Sequence, residues 1–363
     1  MRENSVVPEV PYRPPKPDAT PNIGLVGCGD ITEHHLEAYT DAGWDVVAFC
    51  DIDRSAARKR REEYYPDADI YTDFHNLLAR DDVGVVDIAT PPDSRVPLIE
   101  DALRAETHVL SQKPFVLDLD VGERLIELAE DAGVKLAVNQ NARWAPHYSW
   151  IRNAATEGRV GEIFGVHLDV HWNHDANRDA VWNDVRHALL YDYAIHHFDL
   201  VACLLDDRSP QRVHATLARS PAQHAKPPLL GQAIIDYPGA QASLVFDGNV
   251  KRGDADRIYV AGTQGTIRGE GPYKNQTVSL HVSGGSVSPD LSGSWFPDGF
   301  RGAMGELMMA IENDREPRNS GRNNLRSLEL CYAAVAAAED GGPKRPGETR
   351  ELRRGAPSDL GSL

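Results

Sequence analysis

Lys113, within Ser111-Gln112-Lys113-Pro114, and the later run Asp192-Tyr193-Ala194-Ile195-His196 hold the side chains best suited to chemistry. An ammonium group can hold a hydroxyl oxygen while negative charge develops on it, and an imidazole titrating near neutrality can take the hydroxyl proton. That pair suits the interconversion of an alcohol and a carbonyl. Asp192 and His196 are spaced by about one helical turn, so on a regular helix they share a face, and Asp192 can orient the ring or bind substrate. His197 and Asp199 fall on other faces of such a helix and are given supporting roles.

Such a reaction needs a hydride acceptor, and the chain opens with a place for one. Ile23-Gly24-Leu25-Val26 reads as a buried strand that turns through Gly27-Cys28-Gly29-Asp30 into a helix starting near Ile31. Glycines let the backbone bend tightly and bring its amides to a pyrophosphate at the helix N-terminus. Thr32 stands where the usual pattern has its third glycine, so the fingerprint is incomplete. Asp51 ends a second strand, Val46-Val47-Ala48-Phe49-Cys50, where its carboxylate can accept from both adenosine ribose hydroxyls and repel a ribose phosphate. That favours NAD over NADP, although Arg54 can either reach a phosphate or pair with a surface acid.

The elements that must position these residues follow from periodicity. Apolar strands at residues 83–89, 108–110 and 135–138 alternate with helices, one carrying Val121, Leu125 and Leu128 inward and Glu123, Arg124 and Glu127 outward, with Gly133 as its cap. Lys113 follows the strand at 108–110, and Thr90-Pro91-Pro92 stops the one before it. This pattern predicts an α/β Rossmann domain with a parallel sheet. Beyond Asn141-Ala142-Arg143-Trp144 the pattern changes to a helix at about 146–157, a strand over 162–170 and a helix over 192–205. Short strands follow at 232–237, 242–246 and 257–261, turned by Pro238-Gly239 and the run from Gly262 to Gly265. A C-terminal α+β domain with an open, largely antiparallel sheet fits. Residues 283–294 read as a loop, and 304–313 and 324–338 as closing helices. The predicted division is a flexible arm at 1–20, an NAD-binding domain at 21–143, a substrate-binding and oligomerisation domain at 144–340, and a tail at 341–363 with little packing capacity.

A net charge of −17 disfavours nonspecific attraction to DNA or anionic membranes. The run Arg58-Lys59-Arg60-Arg61 has no aromatic platform beside it and reads as a solvated helix face. Cys28, Cys50, Cys203 and Cys331 are too far apart in sequence to form a redox or metal pair, which suits reduced thiols in a cytoplasmic protein. His171 and His174, with His196 and His197, invite a zinc reading, yet no cysteine or close carboxylate completes a ligand set, so no metal is expected. Trp172, Asn173, Trp182 and Arg186, with His171, better suit a polar pocket lined with aromatic faces, or simple packing.

At this point the chain resembles the Gfo/Idh/MocA oxidoreductase family over nearly all its length from Asn22 onward. Gly27-Cys28-Gly29-Asp30-Ile31 with His35 resembles the family's opening motif, Ala89-Thr90-Pro91-Pro92 its segment beside the nicotinamide, and Ser111-Gln112-Lys113-Pro114 its Glu-Lys-Pro signature. Asp192 through Asp199 resembles its second-domain signature, and Asn141 with Arg143-Trp144 its crossover. The resemblance implies Lys113, Asp192 and His196 as the catalytic trio, with His196 the acid/base. It also implies a sugar or inositol dehydrogenase-like activity and a homodimer or homotetramer packed through the free face of the second sheet. Cofactor contacts are expected at Gly27, Gly29, Asp30, Ile31, Asp51, Arg54, Ala89, Thr90, Pro91, Pro92, Gln112, Lys113 and Asn141. Substrate contacts are expected at Lys113, Arg143, Trp144, His171, Trp172, Asn173, Arg186, Asp192 and His196. Two departures stand out: Gln112 replaces the family's glutamate, and Arg95 occupies a position where histidine is common.

The expected reaction is hydride exchange between NAD and a hydroxyl or aldehyde carbon of a sugar, cyclitol or related polyol. One rival reading is cleavage of, or elimination from, a glycoside through a transient redox cycle on tightly bound NAD. Another is a non-catalytic nucleotide-sensing protein, suggested by Gln112 and Arg95 and opposed by the retained Lys113, Asp192 and His196.

Overall fold

The computed structural model describes residues 10–177, 181–271, 276–353 and 355. The chain forms two compact units: Arg13–Trp144 with Ser294–Leu325, and Ala145–Gly293 with Arg326–Leu363 and the chain start up to Tyr12. The stretch Ser294–Leu325 thus joins the first unit, a return of the chain that the sequence-drawn division does not contain.

In the first unit strands and helices alternate: β1 (Ile23–Val26), α1 (Thr32–Ala42), β2 (Val46–Cys50), α2 (Arg54–Tyr64), β3 (Asp69–Tyr71), α3 (Phe74–Leu78), β4 (Val85–Ile88), α4 (Pro92–Arg104), β5 (His108–Gln112), α5 (Leu119–Asp131) and β6 (Leu136–Asn139). All the strands pair in parallel, in the order β3-β2-β1-β4-β5-β6. β1, β4 and β6 are buried at every position, as a sheet covered on both faces requires. Strand order reverses between β1 and β4, which opens a ligand crevice beyond their carboxyl ends.

The second unit contains α6 (Pro146–Thr156), β7 (Ile163–His171), α7 (Ile195–Leu204), β8 (Arg212–Ala218), β9 (Leu230–Tyr237), β10 (Ala240–Asp247), β11 (Ala255–Gly262), β12 (Gly265–Glu270), β13 (Thr277–Val282) and β14 (Gly285–Val287). Its sheet runs β14-β13-β12-β11-β7-β10-β9-β8 and is antiparallel except for the parallel pair β7–β10. Buried and open positions alternate along β9 and β10, so one face packs on a core and the other is open. Of the two closing helices, α8 (Trp295–Glu312) packs Phe300, Met304, Leu307 and Met308 into the first unit's core with Leu36, Tyr39 and Trp44. α9 (Gly321–Asp340) begins in that unit and ends in the other.

Several expectations are corrected. β8, β12 and β13 and helix α4 are additional elements, and β14 lies inside the run expected to be a loop. Arg60 is not on a solvated face: it is buried and ion-paired with Glu33 and Glu63, each at 3.3 Å. The tail pairs with β8 through reciprocal backbone bonds between Val213 and Lys344, and Leu352 is buried. The described part of the arm lacks helix or strand but is not free, with the Asn153 side-chain amide donating to the Pro11 carbonyl at 2.5 Å. The helix expected over 192–205 is interrupted. Ala188–Tyr193 form a π-turn, closed by the Ala194 amide donating to the Leu189 carbonyl at 2.9 Å, before α7 begins. Asp192 is in the π-turn and His196 in α7, so the shared face of a regular helix does not apply to them.

Candidate active site

The first turn of the parallel sheet has the form of an anion cradle. Gly27 adopts φ +84°, and a Cβ there would meet the Ala89 carbonyl carbon and the Thr90 side chain at 3.0 Å, so only glycine lets these two loops close together. The Cys28 amide donates to Asp51 Oδ2 at 2.7 Å and the Thr32 amide to the Gly29 carbonyl at 3.2 Å. Among the described residues nothing accepts from the amides of Gly29, Asp30 or Ile31, and a Cβ on Gly29 would meet nothing within 4 Å. Three successive unpaired amides at the start of α1 suit a pyrophosphate. In place of the third glycine, the buried Thr32 donates its hydroxyl to the Gly29 carbonyl at 2.6 Å, which closes the turn from within.

Asp51 stands at the carboxyl end of β2 and also accepts from the Asp53 amide at 2.8 Å, so backbone bonds fix its carboxylate. Arg54 is exposed at the first position of α2. Between Asp51 and Asp53, Ile52 is 95% exposed, an apolar surface next to the ribose-directed carboxylate. Sequence reasoning gave Ile52 no role, because a lone isoleucine outside a periodic run carries no signal. The residues present fit a dinucleotide: an open glycine turn, free amides, a fixed carboxylate and an uncovered apolar side chain.

β5 delivers Ser111 and Gln112 into a buried polar network, with Lys113 half-buried at the end of the strand. His35, on α1, is 0% exposed and pairs through Nδ1 with Asp87 Oδ2 at 2.7 Å, and Asp87 also accepts from the Tyr39 hydroxyl at 2.7 Å. Gln112 Nε2 and Asn139 Nδ2 approach His35 Nε2 at 3.1 and 3.2 Å. These contacts assign the proton to Nδ1 and make Nε2 the acceptor. Burial, followed by the neighbouring Asp87 carboxylate, drives the Tyr39 phenol well above its ordinary pKa. Gln112 Oε1 accepts the Lys113 amide at 2.7 Å. Pro91 and Pro92 start α4, where a missing amide costs nothing.

In the second unit the aromatic residues gather around Tyr193. His174 stacks on its ring at 3.7 Å, Trp182 meets it edge-on at 5.3 Å, and Trp172 lies 5.5 Å from His174. Tyr193 had no assigned role in the sequence, although it adjoins Asp192 in the quoted motif. The other pocket candidates have different engagements. His171 bridges Asp247 and Asp169 at 2.8 and 3.1 Å. The Asn173 side chain accepts from Lys251 at 3.3 Å, and Arg186 forms an ion pair with Glu339 at 2.8 Å. His197 Nε2 is 3.8 Å from Asp256, and Asp199 accepts from the Ser327 hydroxyl at 2.7 Å. Among the described residues no group of three or more histidines, cysteines or carboxylates could hold a metal ion.

Three crossover residues are committed inside the first unit. Asn141 accepts from the Trp295 indole at 2.8 Å, and Arg143 donates to the Arg318 carbonyl and to Asn323 Oδ1. Trp144 is buried so tightly that a Cβ on Gly302 would be 2.1 Å from its ring. The structure therefore gathers the cofactor residues and Lys113 in the first unit, and Asp192, His196 and the aromatic group in the second.

Comparison with known proteins agrees with this architecture. Residues 21–140 match the family model described as oxidoreductase family, NAD-binding Rossmann fold, and residues 148–268 match the GFO/IDH/MocA C-terminal domain. The chain is 26% identical over 359 residues to D-apiose dehydrogenase of Paraburkholderia graminis, covering 92% of this chain and 91% of that one. It is 27% identical over 339 residues to inositol 2-dehydrogenase of Rhizobium meliloti, covering 88% and 98%. The fold is similar to that of an oxidoreductase from Agrobacterium radiobacter solved with NAD+, L-tartaric acid and magnesium, with a TM-score of 0.80 at 22% identity, covering 91% of this chain and 99% of that one. The chain belongs to the Gfo/Idh/MocA family of oxidoreductases and is an NAD-dependent dehydrogenase-type enzyme.

Proposed function

We propose that this enzyme exchanges a hydride between NAD and a hydroxyl or aldehyde carbon of a small sugar, cyclitol or related polyol. The observation that carries the reading is Lys113 at the carboxyl end of β5, its backbone amide held by Gln112, in the same parallel sheet as the Gly27 turn. Relatives named for apiose and inositol, each aligned along most of this chain, support a polyhydroxylated substrate. The amides of Gly29, Asp30 and Ile31 would hold the pyrophosphate, Asp51 would take the ribose hydroxyls and Ile52 would cover the adenine. When bound, NAD supplies the redox partner. In oxidation, Lys113 holds the substrate oxygen, His196 accepts the hydroxyl proton and Asp192 fixes the substrate geometry. Tyr193, Trp172 and Trp182 offer aromatic faces to the C–H surface of a sugar ring. The open face of the second sheet exposes Phe164 and Ile234, each 49%, which suits a homo-oligomer contact.

The test is a screen of sugars and cyclitols with NAD and NADP, with mass analysis of products. The expected result is NADH formation matched by one carbonyl product. Release of a sugar fragment without net NADH would replace this reading with the transient-redox one. Lys113→Ala should lower kcat by about 1,000-fold while leaving the Kd for NAD within about threefold, because it removes the charge that stabilises the developing oxyanion. Near-normal turnover would end the role given to Lys113.

A further inference from the structure

We infer that Arg95 and Gln112 act together as a positioning device for Lys113, an inference that rests on the catalytic role proposed for that lysine. Arg95 is on α4, is 1% exposed, and directs its guanidinium at backbone carbonyls. Nε donates to the Thr90 carbonyl at 3.1 Å, and Nη2 donates to the same oxygen. Nη1 donates to the Gln112 carbonyl and to that of Pro114 at 2.5 Å. The two carbonyls held by Nη1 flank Lys113 on either side, and the Lys113 amide is held by Gln112 Oε1 at 2.7 Å. The backbone carrying the ammonium group is therefore fixed before, at and after the residue. The same guanidinium reaches the loop that packs against Gly27, so one buried cation ties the end of β4 to the end of β5.

The chemistry requires these two residue types. Arginine presents several N–H donors in a rigid plane, whereas a lysine ammonium is a single point that cannot bridge three carbonyls in this arrangement. Glutamine supplies both an acceptor for the Lys113 amide and a donor for His35 Nε2, whose Nδ1 is committed to Asp87. A glutamate carboxylate would keep the acceptor and lose the donor. The two departures from the family pattern thus hold one peptide segment, Arg95 by the carbonyls before and after Lys113 and Gln112 by the amide between them.

Arg95→Ala and Arg95→Lys are compared with wild type for kcat, KM for the polyol, Kd for NAD and thermal midpoint, with Lys113→Ala as reference. A misplacement of the lysine by about 1 Å predicts a fall in kcat of about 100-fold in both variants, with the Kd for NAD changed by less than about tenfold. Added guanidinium ion should restore Arg95→Ala at least about fivefold and leave Arg95→Lys unchanged, because the lysine occupies the space. Turnover within threefold of wild type in both variants overturns the inference. So does a parallel loss of kcat, NAD affinity and thermal midpoint without guanidinium rescue, the signature of a general structural role. If Arg95→Ala does not fold, Arg95→Lys decides by whether kcat falls while NAD binding and midpoint hold. An active Lys113→Ala would instead sink the parent reading, and an inactive Lys113→Ala beside active Arg95 variants sinks this one alone.

Discussion

His35 in the first unit and His147 in the second are both 0% exposed, yet their surroundings are opposite in kind. His35 has both ring nitrogens engaged, by Asp87 on one side and by the amides of Gln112 and Asn139 on the other. Among the described residues, neither nitrogen of His147 has a partner, although its ring lies 3.8 Å from that of Tyr148. Nearby, His197 likewise has no hydrogen-bond partner at either nitrogen among the described residues, and Asp256, 3.8 Å from its Nε2, accepts from the Tyr148 hydroxyl at 2.7 Å. A buried imidazole bonded at both nitrogens holds its neighbours in register. One buried without partners contributes mainly a desolvation cost, avoided only by staying neutral. The first arrangement reaches Lys113 through Gln112. The second leaves imidazole nitrogens without hydrogen-bond partners among the described residues, and its effect is on stability.

Removing His35 should therefore do the most damage. His35→Leu leaves Asp87 with the Tyr39 hydroxyl alone and strands the amides of Gln112 and Asn139 in an apolar interior. The expected loss is about 3 kcal/mol of unfolding free energy, because a broken buried pair leaves its partner uncompensated. Urea denaturation measures it. A loss under about 1 kcal/mol would mean that His35 does not hold its neighbours as its two bonded ring nitrogens indicate, and would erase the contrast with His147.

The second arrangement predicts acid sensitivity. Burial pushes His147 down to about 4, with Asp256 and the neighbouring Gln276 side chain opposing and His197 adding to the shift. Burial likewise pushes His187 down to about 4, against the pull of Glu339. Between the ordinary imidazole value of 6.5 and about 4 the unfolded chain binds more protons than the folded one, so stability rises with pH across that window. The stabilisation is complete above pH 6.5 and is lost as the pH falls to about 4. Each imidazole contributes at most about 3 kcal/mol. Asp175 belongs to a lower window. Burial would raise it, but the Ala225 and His224 amides and the Lys251 ammonium outweigh that and hold it at about 2, so its share is lost below 3.8. His147→Leu should reduce the slope of stability against pH between 4 and 6.5 by about half while leaving stability at pH 7 the same or higher. An unchanged slope would remove His147 from the explanation.

How much of this was readable beforehand depends on the kind of signal. Gly27, Asp51 and the strand before Lys113 were legible because glycine chemistry and short apolar runs are local properties. The parallel sheet followed from their alternation. β8, β12 and β14 were missed because they are half-polar or short, with β14 set in a run of serines and glycines. The π-turn before α7 was invisible because hydropathy does not distinguish a bond to the fifth preceding residue from one to the fourth. The engagements of Asn141 with Trp295 and of Arg143 with Asn323 join residues far apart in sequence, so residue type alone gave no sign of them. Arg95 is the converse case. Its identity marked a departure, but the three carbonyls it holds belong to two segments, after β4 and at the end of β5, that adjoin only after folding.

The smallest effect expected is at Thr32, another buried polar group of the first unit, whose bond ends at the protein surface instead of inside a network. Its hydroxyl donates to the Gly29 carbonyl at 2.6 Å, and Gly29 itself is exposed. Thr32→Val removes the donor at almost constant volume, and water can satisfy the freed carbonyl. The cost should be about 0.5–1 kcal/mol, well below that of His35→Leu, because nothing is stranded out of reach of solvent. The amides of Gly29, Asp30 and Ile31 are untouched, so the Kd for NAD, read by tryptophan fluorescence, should move by less than about threefold. A rise of tenfold or more would show that the hydroxyl sets the shape of the phosphate turn. Thr32 would then rank beside His35 as a positioning group, and what separates costly from mild substitutions in this unit would be proximity to the cofactor, not burial within the polar network.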